Sequence, residues 1–169
     1  MAKGKKEGTG GSVAKFMVAI SHGKGVIGCE QYYGNVSGEF FYQFFQTHFP
    51  DWFKRSSNPK SRVVLLDGDP SQNSARAREA LQIIDCKLFK IPACSPDLNP
   101  IENIFHSVGM KLHSDALEND LVQETFPQFS HRVKRTLLNF SVEQIDKTIE
   151  SMPKRIAAVI KGKGERTNY

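Results

Sequence analysis

"CSPDLNPIENIF", residues 94–105, sets two prolines, an acidic turn and a lone glutamate in front of an apolar helix. Asn99 suits the N-cap and Pro100 the first helical position. Glu102 then falls where its carboxylate meets free backbone N–H groups and the helix dipole. Capping alone accounts for such a glutamate, at about 0.5–1 kcal/mol. A carboxylate at a helix mouth is also a candidate metal ligand, and what lies upstream weighs between the two. Downstream, Ile101, Ile104, Phe105, Val108 and Leu112 recur at helical spacing and mark an amphipathic helix.

Upstream stands "SRVVLLDGDP", residues 61–70. Four apolar residues bounded by turn formers read as a strand buried on both faces, and the strand ends in Asp67. Open α/β sheets place functional groups at such strand ends. "DGDP" is equally a turn fixed by Pro70, and an Asx-turn or cap explains Asp69. "NSARAREALQII" follows as a helix with Asn73 as its cap, and "CKLFKIP" as a strand stopped by Pro92. A strand-end and a helix-start carboxylate, one helix and one strand apart, can converge on one sheet edge. Two or three such groups bind Mg²⁺ or Mn²⁺ through hard oxygens. Two metals so held activate a water or a 3′-hydroxyl and stabilise the leaving oxygen of a phosphodiester.

"SPDLNPIENIF" resembles the signature around the last catalytic acid of the mariner/Tc superfamily of cut-and-paste DNA transposases. "VVLLDGDPSQNS" is similar to the segment carrying that family's second catalytic Asp. The thirty-four residues 68–101 between Asp67 and Glu102 match the Tc-like branch. "GKGVI" and its flanks fit the early strands, so the resemblance covers roughly residues 10–168. It implies an α/β, RNase-H-like (DDE integrase) fold with Asp67 and Glu102 as catalytic acids and metal ligands. It also implies Mg²⁺ or Mn²⁺ as cofactor and DNA, at transposon ends, as partner. In the family the first Asp sits on the first strand, which is central to the sheet. No Asp occurs among residues 1–50, and Asp51 follows the Phe-rich helix and does not replace it. The family's paired N-terminal helix-turn-helix modules are absent too. Gly68 stands where the family often has Asn, and Gln72 or Asn73 where it often has His.

The expectation is therefore an incomplete RNase-H-like domain, lacking its first strand and followed by C-terminal helices. A missing central strand leaves unpaired backbone and exposed apolar surface. The chain is thus expected to be marginally stable or to form homo-oligomers.

The remaining sequence fills in this frame. At 169 residues, 39% hydrophobic and 24% charged, the chain suits one domain with its own core. Residues 1–13, "MAKGKKEGTGGSV", read as a flexible basic segment, residues 14–161 as the domain, and 162–169 as a basic tail. The apolar runs 16–20 and 26–29 flank "SHGKG" as a β-hairpin. Ser37 caps a helix whose Phe40, Phe41, Phe44, Phe45 and Phe49 form a core stripe, with Trp52 also in the core. Capping boxes are expected at Thr125 to Gln128 and at Ser141 to Gln144. Pro153 is expected to split the last helical stretch and Gly162 to end it.

The net charge of +5 favours a polyanionic partner. Lys24, Lys111, Arg132, Lys134 and Arg135 are candidate phosphate contacts, although charged helix faces are commonly just solvated. His106, one turn after Glu102, reads as a surface histidine. Cys29, Cys86 and Cys94 lack zinc-ligand spacing and read as reduced and structural. No apolar run approaches a membrane span and no leader opens the chain, so a nuclear or cytoplasmic location is expected, with no membrane partner and no small-molecule substrate.

Three readings compete. The first is a transposase-derived domain for metal-dependent DNA cleavage and strand transfer, inactive alone for want of the first Asp. The second is a non-catalytic nucleic-acid- or protein-binding remnant of such an enzyme. The third is an unrelated α/β binding protein with a basic surface.

Overall fold

Two glycines in the left-handed region, Gly23 at φ 68° and Gly25 at φ 73°, turn the chain between β1 (Lys15–Ser21) and β2 (Gly25–Tyr32). That turn makes an antiparallel pair running from Lys15 opposite Tyr32 to Ser21 opposite Gly25, with one register shift at Ala19/Ile20. The hairpin expected from "SHGKG" is present. The computed structural model describes residues 13–92, 95–121 and 123–164. The basic segment 1–12, Cys94 and tail residues 165–169 lie outside the described residues.

Helix α1 (Gly38–Arg55) begins where the Ser37 hydroxyl accepts the Phe40 N–H at 3.1 Å. Its aromatic stripe lies inside: Phe41, Phe44, Phe45, Phe49 and Trp52 are buried, and their rings pack edge-on or tilted against one another. Pro50 lies within the helix, so Asp51 belongs to its last turns and does not follow it. Proline there removes one intrahelical donor without ending the helix, because the packed rings on either side hold the backbone. Asp51 makes a surface pair with Arg55 at 2.8 Å.

The second sheet is the parallel pair β3 (Val63–Leu66) and β4 (Lys87–Lys90), joined through α2 (Ala75–Ile83). Ser74, not Asn73, caps α2: its hydroxyl accepts the Ala77 N–H at 3.2 Å, while the Asn73 amide turns back to the preceding loop. β3 is half-buried at most and Val63 is 52% exposed, short of the burial on both faces read from its apolar run. The strand has a neighbour along one edge, β4, and a cavity along the other.

A 3-10 turn (Pro96–Leu98) leads into α3 (Pro100–Glu118), then α4 (Phe126–Leu138), α5 (Val142–Glu150) and α6 (Met152–Lys161). Thr125 and Gln128 form the expected capping box. At Ser141 the hydroxyl accepts the Gln144 N–H at 3.4 Å, which is half of the reciprocal pair. Ser151 separates α5 from α6, with Pro153 in the first turn of α6 and Gly162 at its end.

Two apolar clusters sandwich the strands. One gathers α1 and α2 against Met17, Ala19, Val64, Leu66 and Leu88. The other gathers Ile104, Val108, Leu137 and Ile145 of α3, α4 and α5 against Phe16, Val18 and Ile20. Alternate residues of β1 therefore face opposite layers, as a strand inside an α/β/α sandwich must. This is an α/β architecture with C-terminal helices, in agreement with the expected class. β1 and β3 belong to separate sheets, and among the described residues no backbone hydrogen bond joins them.

Candidate active site

Asp67 follows the last residue of β3, and the loop after it is built by its own side chains. The Asp67 Oδ1 accepts the Asp69 N–H at 3.2 Å. Asp69 Oδ1 in turn accepts from Ser71 N at 2.8 Å and Gln72 N at 3.2 Å, the Asx-turn expected of it. The Asn73 amide donates to the carbonyls of Asp67 and Asp69 at 3.1 and 2.8 Å. Asp69 and Asn73 are thus occupied in shaping the turn that holds Asp67 at the end of the strand.

Glu102 lies in the first turn of α3, solvent-exposed, with its N–H bonded to the Asn99 carbonyl at 3.2 Å. Asn99 is the N-cap residue by position but makes no side-chain cap bond, and it is 8% exposed. The start of α3 is held from elsewhere. Arg155 of α6, 4% exposed, donates to the Asp97 carbonyl at 3.1 Å and to Asn103 Oδ1 at 2.7 Å. Its Nε donates to Ser151 Oγ at 2.7 Å. This clasp ties the 3-10 turn and the first turn of α3 to the last helix. Arg155 is not among the candidate residues read from the sequence. Nothing local marks its hold on the start of α3, because Asp97 and Asn103 are more than fifty residues away.

The two carboxylate residues border the same space. Asp67 and Glu102 both line a cavity of about 560 Å³ that runs between β1 and β3. Both also line a smaller one of about 340 Å³, together with Asp69, Ser95 and Asn99. A hard divalent cation fits the oxygen chemistry of this pair. Among the described residues, however, no group of three His, Cys, Asp or Glu side chains could hold a metal ion.

The basic candidates lie apart from this site, since none of the five lines either cavity. Lys24 is exposed in the hairpin turn, and Lys111 and Arg135 are exposed on α3 and α4. Lys134 stands 3.7 Å from Glu30. Arg132 pairs tightly with Glu124, donates to the Leu112 carbonyl at 2.9 Å, and holds the Glu124 carboxyl below the usual carboxylate range. His106 is exposed and borders neither cavity. Cys29 and Cys86 are buried free thiols, each pushed up to about 11 by desolvation. No helix among the described residues is long and apolar enough to cross a membrane.

Comparison with known proteins bears on the family and the fold. The profile of a family described as DDE superfamily endonuclease matches residues 2–122. The transposable element Tc1 transposase of Caenorhabditis elegans is 29% identical over 136 residues, covering 80% of this chain and 47% of that protein. The Tcb1 transposase of Caenorhabditis briggsae is 30% identical over 115 residues, covering 68% and 40%. The chain therefore spans less than half the length of these relatives. Among solved structures, the Mos1 mariner paired end complex with Mn superposes with a TM-score of 0.76 at 18% identity, over 99% of this chain and 48% of that one. The Mos1 transposase catalytic domain, solved with Raltegravir and Mn, gives 0.69 at 18% identity over 92% and 82%. At that identity the likeness is one of fold, the RNase-H-like fold of a transposase catalytic domain.

Proposed function

Because the chain belongs to the DDE superfamily endonucleases, we propose that it carries the Asp67 and Glu102 part of a site for metal-dependent DNA cleavage and strand transfer, and that this chain alone does not turn over. The observation that carries the proposal is that both residues border the same two cavities, one from the end of β3 and one from the start of α3. Asp67 and Glu102 would hold Mg²⁺ or Mn²⁺, the metals with which the Mos1 structures were solved. The bound metal would supply activation of a water or 3′-hydroxyl and charge stabilisation at the leaving oxygen. The Asx-turn at Asp69 fixes the first carboxylate and the Arg155 clasp fixes the helix that presents the second.

Inactivity follows from the donor count. Residues 1–50 contain no Asp, and two acids leave a divalent pair short of a bridging ligand. The DNA substrate would be a transposon end, by likeness to the Tc1 and Tcb1 transposases, and a nuclear location accords with that substrate. The non-catalytic alternative, a nucleic-acid- or protein-binding remnant, draws its support from the long cavity between β1 and β3.

A nicking and strand-joining assay with supercoiled DNA and Mg²⁺ or Mn²⁺ tests the proposal. The expected result is no metal-dependent cleavage by the chain alone and weak Mn²⁺ binding that disappears in Asp67→Asn. Cleavage lost in Glu102→Gln would overturn the inactivity. Mn²⁺ binding unchanged in both variants would overturn the site.

A further inference from the structure

Among the described residues Arg155 of α6 is the one buried cation, at 4% exposed. A guanidinium out of water is stable only where its fork of donors is met, so its partners are held as firmly as it is. They lie on both sides of Glu102. Nη1 donates to the Asp97 carbonyl, in the 3-10 turn before α3, and to Asn103 Oδ1, on the helical residue directly after Glu102. Nε donates to Ser151 Oγ, at the start of its own helix. The N-cap does not duplicate this hold, because the Asn99 side chain makes no cap bond and Pro100 has no N–H.

The helix that carries the fork is lightly attached. α6 packs chiefly against α5 and the 3-10 turn. Ile156 and Ile160 on its outer side are 44% and 72% exposed. Of its ten residues, Arg155 is the one that is buried. A helix anchored by so little opens locally at a lower free-energy cost than the core of the fold. When α6 lifts, the donor leaves Asn103 and the first turn of α3 loses its support from outside.

We propose that Arg155 is a positioning residue for Glu102, and that the docking of α6 through it regulates how firmly the Asp67–Glu102 pair holds a divalent cation. The inference rests on the reading of that pair as a metal site. By linkage the effect runs both ways: a cation held by Glu102 favours the seated α6, and a seated α6 favours the cation. The competing role is a clasp that only adds stability, which would leave metal affinity indifferent to the fork as long as the chain is folded.

Two measurements on the whole chain separate these roles. One is Mn²⁺ binding, read from the EPR signal of the free ion, and the other is amide hydrogen exchange of α6 with and without Mn²⁺. Arg155→Lys keeps the charge but not the planar fork. Asn103→Ala removes the acceptor beside Glu102 and leaves Arg155 its bonds to Asp97 and Ser151. Both variants are expected to bind Mn²⁺ about tenfold more weakly. Saturating Mn²⁺ should slow exchange across Met152–Lys161 in the wild type and not in Asn103→Ala. Ile145→Val, a core change in α5, lowers the melting midpoint without touching the fork and should leave the affinity as it is. Should Arg155→Lys fail to fold, Asn103→Ala still decides. Undiminished affinity in Asn103→Ala, a loss of equal size in Ile145→Val, or α6 exchange blind to Mn²⁺ would each overturn the proposal and leave the metal site standing. Mn²⁺ binding indifferent to both Asp67→Asn and Glu102→Gln would instead remove the site itself, and the coupling with it.

Discussion

The β1–β2 hairpin and the β3–β4 pair are each two strands wide, yet only the hairpin is covered on both faces. Met17 and Ala19 reach the aromatic cluster of α1, while Phe16, Val18 and Ile20 reach the cluster formed by α3, α4 and α5. In the other sheet Val64, Leu66 and Leu88 face the α1–α2 cluster, but Val63 and Phe89 are 52% and 59% exposed. The strands do not differ much in composition. They differ in what stands behind them, because α3, α4 and α5 back the hairpin and not the parallel pair. An apolar run therefore sets a strand's capacity for burial, and the helices around it decide how much is used.

The largest contrast should appear on truncating one phenylalanine in each region. Phe45 is fully buried among rings, and Phe45→Ala is expected to cost about 3–5 kcal/mol. Phe89→Ala should cost about 0.5 kcal/mol or less. Chemical denaturation of both variants checks this, and equal losses would break the distinction.

A smaller effect is expected inside the hairpin, at Gly28. A Cβ there would lie 2.1–2.6 Å from three atoms of the Trp52 indole, so the glycine is required by close approach. Gly28→Ala should destabilise by about 1–3 kcal/mol, as the ring or the strand must move. A melting midpoint equal to that of the wild type would show that the indole is free to give way.

The smallest effect concerns the hairpin turn, where α5 holds the chain from outside. The His22 Nε2–H donates a 2.9 Å bond to Glu150 Oε1, and the Gly23 N–H donates to Asp146 at 2.7 Å. The bond to Glu150, followed by the charge of Asp146, raises the His22 pKa above 6.5. A raised folded-state value means that the contribution is complete below pH 6.5 and fades as pH climbs through the folded value. Melting midpoints measured across that window should fall more steeply in the wild type than in Glu150→Gln. Parallel profiles would remove the turn from the pH response.

Much of this organisation was legible in local chemistry. Glycines in "SHGKG" gave the hairpin, phenylalanine spacing gave α1, and the proline and glutamate of "NPIENIF" gave the start of α3. Family likeness then joined Asp67 to Glu102, and the fold does bring the two to common cavities. What stayed hidden depends on distant partners or near-equivalent neighbours. Asn73 and Ser74 can both cap a helix, and the choice was decided by carbonyls of the Asp67 loop that attract the Asn73 amide. Asp51 read as following the Phe-rich helix, although the buried residues of α1 lie on both sides of Pro50 and carry the helix on to Arg55. Of the charged candidates, Arg132 was drawn into a pair with Glu124 across eight residues of sequence. Arg155 went unnoticed for the same reason, since its role exists only after the chain has folded back on itself.

The Arg155 clasp gives the site an order of assembly in time. The glutamate leaves the ribosome first, and the arginine that secures its helix follows only after some seconds of synthesis. Until then the Pro96–Leu98 turn lacks the donor to the Asp97 carbonyl, which comes from 58 residues further along. A nascent chain, or one shortened by a premature stop before residue 155, would hold both acids in its sequence while Glu102 rode on an unsecured helix start. The placement of Glu102 is therefore a property of α6 as much as of the helix that carries it.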